Sequence, residues 1–152
     1  MNPRITTIVL GAVIFALGLV ALMFPQFAME RILGFAVAPS HAENAVLGEV
    51  RATYGGLFVV MGLFTLFAAL DPKQHRARLQ MIGFLWLGAG LGRLSGAYID
   101  GDPGLMGWAG VGFEAVMGLA LIGVPYLKSS EAQAPRSPSN PAPGPDDSPH
   151  HL

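Results

Sequence analysis

The chain has no cysteine, few charged residues and no excess of either sign of charge. Without cysteine there are no disulfides, thiol nucleophiles or thiolate-bound metals. Charged residues make up 12% of the 152 positions, against about 25% in an ordinary soluble domain. That is too few to coat a surface facing water. The net charge of −1 gives no basic field to attract a nucleic acid. Histidine is scarce as well: His41 and His75 lie outside the long apolar stretches, and His150 and His151 form a short pair near the end. This argues against a nucleophile–His–acid triad. Neither a His-Glu-x-x-His helix nor a second buried acid for a two-metal site is present, so no metal is expected. The run Gly88-Ala89-Gly90-Leu91-Gly92 sits inside an apolar stretch, not at a strand-to-helix turn, so it is not a phosphate loop.

Long apolar runs take up most of the rest. Ile5–Phe24, Ala52–Leu70, Leu79–Ile99 and Gly104–Leu127 are each near or above the roughly 20 residues that cross a hydrocarbon core as a helix. Lipid offers no water to open backbone groups, which favours helices, and the short alternating strands of a barrel are missing. The expected fold is all-α, an integral membrane four-helix bundle over residues 1–127. Residues 128–152 contain six of the twelve prolines and almost no large apolar groups, so they read as a disordered tail. Ile5–Phe24 is 20 residues long, longer than the usual ~7–15 of a signal peptide's apolar core, and reads as a retained span.

Local signals mark the ends of the helices. Pro25 should stop the first one. Ser40-His41-Ala42-Glu43 has the capping-box spacing, which predicts a second helix starting near His41. Asp71-Pro72 and Asp102-Pro103 each offer a capping oxygen followed by a first-turn proline, and Asp100-Gly101-Asp102 supplies a tight turn. The segment Met29–Phe35 mixes charge with large apolar groups, as expected of a piece lying at the interface or folded over the bundle.

Orientation follows positive charge. Lys73, Arg76 and Arg78 lie in the second connection, Arg4, Lys128 and Arg136 near the ends, and only Asp100 and Asp102 in the third. The positive-inside rule puts both termini and the second connection in the cytoplasm. Tyr98 and Trp108 then belong to the outer interface and Tyr126 to the inner one.

Arg51, Arg93 and Glu114 are the charges within or beside the apolar runs. By helical rise, Arg93 lies roughly 9 Å from the outer end and Glu114 roughly 15 Å in. A charge at such depth turns inward and pairs. Arg93 with Glu114 is the expected pair, Arg51 is expected to join them, and Glu49 is expected at the outer rim. Tyr54 and Ser95 are candidates for further hydrogen bonds. Gly88, Gly92 and Gly96 recur every fourth residue and form a smooth stripe for close helix packing, within the bundle or between two copies.

The run Gly48-Glu49-Val50-Arg51-Ala52-Thr53-Tyr54-Gly55-Gly56, with Gly92-Arg93-Leu94-Ser95, Asp100-Gly101 and Glu114, resembles an uncharacterised family of small four-helix bacterial membrane proteins. The resemblance covers roughly Ile5–Leu127. Its architecture is similar to that of the wider DoxX-like group, some of whose members are linked to quinone oxidoreduction, although no redox residue maps onto this chain. The resemblance implies a multi-pass protein of the bacterial inner membrane. Function stays open among three readings. The chain is a non-enzymatic accessory component or binder of a lipid or quinone-like molecule. Alternatively it is an enzyme on a lipid-soluble substrate, with Glu114 as acid/base and an arginine as oxyanion partner. The third reading is a small proton-coupled transporter. No cofactor is indicated.

Overall fold

The computed structural model describes residues 2–34 and 41–127, the side chains of 41–43 excepted. Among these residues every regular element is helical and no strand occurs. Helix α1 (Pro3–Met23) opens with Asn2 Oδ1 accepting from the Arg4 N–H at 3.0 Å and with Pro3 in its first turn. A proline there gives up a donor that has no helical partner anyway. The helix ends before Pro25, as the sequence predicts. The connector is itself helical: α2 (Pro25–Phe27) runs into a π turn, Ala28–Leu33, closed by Gly34 at φ 78°. Gly34 also lies against Met106, whose Cβ would be 2.6 Å from an added Cβ. Ala28 and Met29 are buried with Ala21, Leu47 and Val50, so this segment folds over the bundle.

Helix α3 (His41–Glu49) starts where the capping spacing predicts, although Ser40 lies outside the described residues. It continues through a π-helical stretch, Val50–Gly56, into α4 (Leu57–Ala68). The next helix corrects an expectation. Asp71 caps a separate turn, its Oδ1 accepting from the Lys73 and Gln74 N–H groups at 3.1 Å each. That turn closes when the His75 N–H donates to the Asp71 carbonyl, and α5 (Arg76–Asp100) begins only afterwards. At the other end of α5, Gly101 (φ 102°) and Gly104 (φ 70°) reverse the chain in a region that side chains rarely enter. Helix α6 (Gly104–Gly123) follows. Pro103 takes its capping position, one residue later than expected, while Asp102 Oδ1 accepts from the Gly104 N–H at 3.1 Å and from Trp108 Nε1–H at 2.9 Å.

The helices form two tight pairs, α1 with α4 and α5 with α6, and contact between α4 and α5 is much thinner. Glycines let the paired backbones meet. A Cβ on Gly62 would come within 2.6 Å of the Phe15 backbone, and one on Gly83 within 2.8 Å of the Gly118 carbonyl. The stripe singled out in the sequence does no such packing: Gly88 and Gly92 have nothing within 4 Å, and Gly96 meets only Asp100 Oδ2 of its own helix, at 3.8 Å. The seam with α6 runs through Gly83 and Gly90. Positions two residues from Gly90 are more than half a turn away, which turns the expected stripe outward.

Three helical stretches, Pro3–Met23, Asn44–Ala68 and Gly104–Tyr126, are long and apolar enough to cross a membrane. Helix α5, with a basic start and Arg93 inside it, is not among them. The interior divides into two apolar clusters. One contains Ile14, Met61, Leu79, Ile82, Trp86 and Leu121; the other gathers around Met29, Leu47 and Val50. The buried hydroxyls of Thr7 and Thr65 donate to carbonyls one turn back, at 2.8 Å each, so neither hydroxyl is left unmet.

Candidate functional site

Where the two apolar clusters meet, α5 and α6 bring two charges together. Arg93 Nε donates to Glu114 Oε1 at 2.7 Å, the length of a charge-assisted bond. The Glu114 side chain is 7% exposed and that of Arg93 30%. Glycines on the facing helices make room for both. Arg93 lies over Gly110, where an added Cβ would sit 3.4 Å from the guanidinium. Glu114 lies over Gly90, where one would sit 3.5 Å from its Cβ and 3.7 Å from Oε2.

The pair forms part of the wall of a cavity of about 80 Å³, which Tyr54, Phe58, Trp86 and Phe113 also line and which Ile32 and Leu33 of the folded-over turn close. Tyr54, Phe58, Trp86, Arg93 and Glu114 also border a larger groove of about 500 Å³ running between α4 and α5 along Leu57, Met61, Leu85 and Ala89. The thin contact between those two helices makes this groove. Its size falls within the roughly 300–1,000 Å³ usual for small-molecule sites, whereas the inner cavity holds only a few atoms.

Two buried polar atoms here have no hydrogen-bond partner among the described residues: Glu114 Oε2 and Trp86 Nε1. Leaving such atoms unmet costs about 1–3 kcal/mol each, more for a charged group. The ion pair uses one carboxylate oxygen and leaves the other. The site as built therefore has net charge zero, with one buried acceptor, Glu114 Oε2, and one buried donor, Trp86 Nε1, left unmet.

The expected residues do not all gather at this point. Tyr54 does: it lines the cavity beside Arg93 and meets Phe58 edge-on at 5.7 Å between ring centres. Arg51 does not. It is exposed and borders a separate surface hollow with Met23, Phe24 and Leu47. In an ordinary helix residues three apart share a face, but the wide turn at Val50–Gly56 adds a residue per turn and rotates Arg51 away from Tyr54. Glu49 is exposed and, among the described residues, makes no ion pair with Arg51. Ser95 is also exposed, its hydroxyl donating to the Leu91 carbonyl at 2.9 Å.

Sequence reasoning missed Trp86. A signal for Trp86 was present: Trp86, Gly90 and Arg93 stand at i, i+4 and i+7, one face of a helix. The Ala28–Leu33 turn was marked in the sequence only as a piece at the interface or over the bundle, and the structure takes the second placement, over the cavity.

Taken together, these features define an all-helical protein with three helices fit to cross a membrane and an arginine–glutamate pair in the wall of an apolar cavity. The chain belongs to the family described as a domain of unknown function (DUF4345), which matches residues 3–124 and so takes in every helix named above. No curated protein and no solved structure matches the chain.

Proposed function

We propose that this protein is a four-helix membrane protein that binds a lipid or quinone-like molecule in the pocket beside Arg93 and Glu114, without catalysing a reaction on it. In this reading α5 is the fourth span, the architecture is DoxX-like, and both termini face the cytoplasm of a bacterial inner membrane. Three spanning-length helices support the membrane setting, as does the apolar exterior, where Val9, Phe64, Phe84, Val116 and Leu119 are all exposed. In water so much exposed apolar surface would drive association.

The observation that carries the binding reading is the buried, unpartnered Oε2 of Glu114, a residue in the wall of an apolar groove. A pair kept only to fix helix register has no reason to leave half a buried carboxylate unmet. The test is native mass spectrometry of the detergent-purified protein, wild type beside Glu114→Gln, with each sample's fold checked by circular dichroism. A small-molecule adduct on the wild type that is absent from a folded variant is the expected result. No adduct on either, with the variant merely less stable, would reduce the pair to a structural one.

A further inference from the structure

We propose that the group received beside Glu114 is an uncharged hydroxyl at the head of a long-chain lipid. This rests on the binding reading above and specifies the chemistry of the head.

Charge balance comes first. The guanidinium of Arg93 is already met by Glu114 at 2.7 Å, so an anionic head would find no free positive charge and would face the second carboxylate oxygen. A cationic head would meet that oxygen but sit against Arg93. In apolar surroundings an unbalanced charge is strongly disfavoured, and the neutral pair therefore selects a neutral guest.

Hydrogen bonding narrows the choice further. Glu114 Oε2 only accepts and Trp86 Nε1 only donates, and both are buried without partners in residues that line the same cavity. A hydroxyl is a small group that both donates and accepts. A ketone, an ester or an ether accepts only and leaves the carboxylate oxygen unmet. The shape of the site agrees: the inner cavity of about 80 Å³ suits a head of a few atoms, and the groove between α4 and α5, smooth at Ala89 and Gly92, suits an acyl chain.

The experiment uses the full chain with Trp108→Phe, which leaves Trp86 as the sole tryptophan, in nanodiscs of saturated phosphatidylcholine. Oleyl alcohol, oleyl methyl ether and oleate are titrated and the Trp86 emission is followed. The alcohol should give a saturable change, the ether should bind roughly tenfold more weakly, the equivalent of one lost hydrogen bond, and oleate should give none. Glu114→Gln leaves Arg93 unbalanced, so the preference should invert, with oleate binding and the alcohol weakened. If that variant does not fold, Trp86→Phe removes the donor while keeping an aromatic ring at the site, and native mass spectrometry should show its alcohol adduct reduced. Equal binding of ether and alcohol, or tighter binding of oleate to the parent protein, would overturn the hydroxyl assignment while the binding reading stands. No saturable response to any probe, with no adduct by mass spectrometry, would remove both.

Discussion

At the residue scale the central fact is an ion pair made by one oxygen of a carboxylate. Breaking it by Arg93→Ala or Glu114→Ala strands the other charge and should lower stability by about 3–5 kcal/mol, seen as a lower melting temperature in detergent. The double change Arg93→Met with Glu114→Leu should recover most of that loss, since an apolar replacement of a buried pair is often close to neutral, yet leave no lipid adduct. A double variant as unstable as the singles would mean that the pair is needed for folding in itself. The two partners were legible in the sequence because charges are rare in apolar runs and because α5 and α6 are joined by a short turn. Arg51 looked equivalent and is not, since a wide helical turn has no signature in composition. Trp86 was hidden for the opposite reason: a tryptophan in an apolar run looks like any other large apolar group until the face it occupies is known.

At the scale of elements, the close pairs α1–α4 and α5–α6 rest on particular glycines. Gly62→Ala should push α1 and α4 apart, because the new Cβ would fall 2.6 Å from the Phe15 backbone, and overpacking of this kind costs about 1–3 kcal/mol. Gly88→Ala has nothing within 4 Å to meet and should leave the melting temperature within a degree or two. If Gly88→Ala proved as damaging as Gly62→Ala, a second copy packing on that face would be indicated. The sequence showed where helices stop, through Pro25 and the Asp100–Asp102 turn, because those signals are local. It did not show which glycines face a neighbour. Gly83 and Gly90 lie on the same helix as Gly88, Gly92 and Gly96, and only the placement of α6 decides between the two sets. The late start of α5 has a similar origin: Asp71 offers its oxygen to whatever turn follows, and that turn closes by itself.

At the scale of the whole molecule, the two ends differ in chemistry. At one end Arg76 lies 5.7 Å from the centre of the Tyr126 ring, Gln80 donates to the Tyr126 hydroxyl at 3.0 Å, and Arg78 lies 5.2 Å from the Phe67 ring and 5.9 Å from that of Phe64. At the other, Trp108 donates to Asp102 and no lysine or arginine lies in the turn. Basic groups next to aromatics suit a cytoplasmic interface. Reporter fusions after Asp102 should therefore read as external and fusions after Lys128 as internal. A cytoplasmic signal after Asp102 would invert the threading. The all-helical character and the long apolar runs were plain from the sequence, since they follow from composition and length. The cavity was not, because it arises where two helix pairs meet loosely, and no single segment encodes that.

The balanced pair has a consequence for any membrane that sustains a voltage. Carrying one elementary charge through 100 mV exchanges about 2.3 kcal/mol with the field. A guanidinium and a carboxylate 2.7 Å apart offer that field only a short dipole, and an uncharged guest adds nothing to it. Occupancy of such a site should therefore track how much of the guest is dissolved in the bilayer, and should stay the same whether the cell is energised or not.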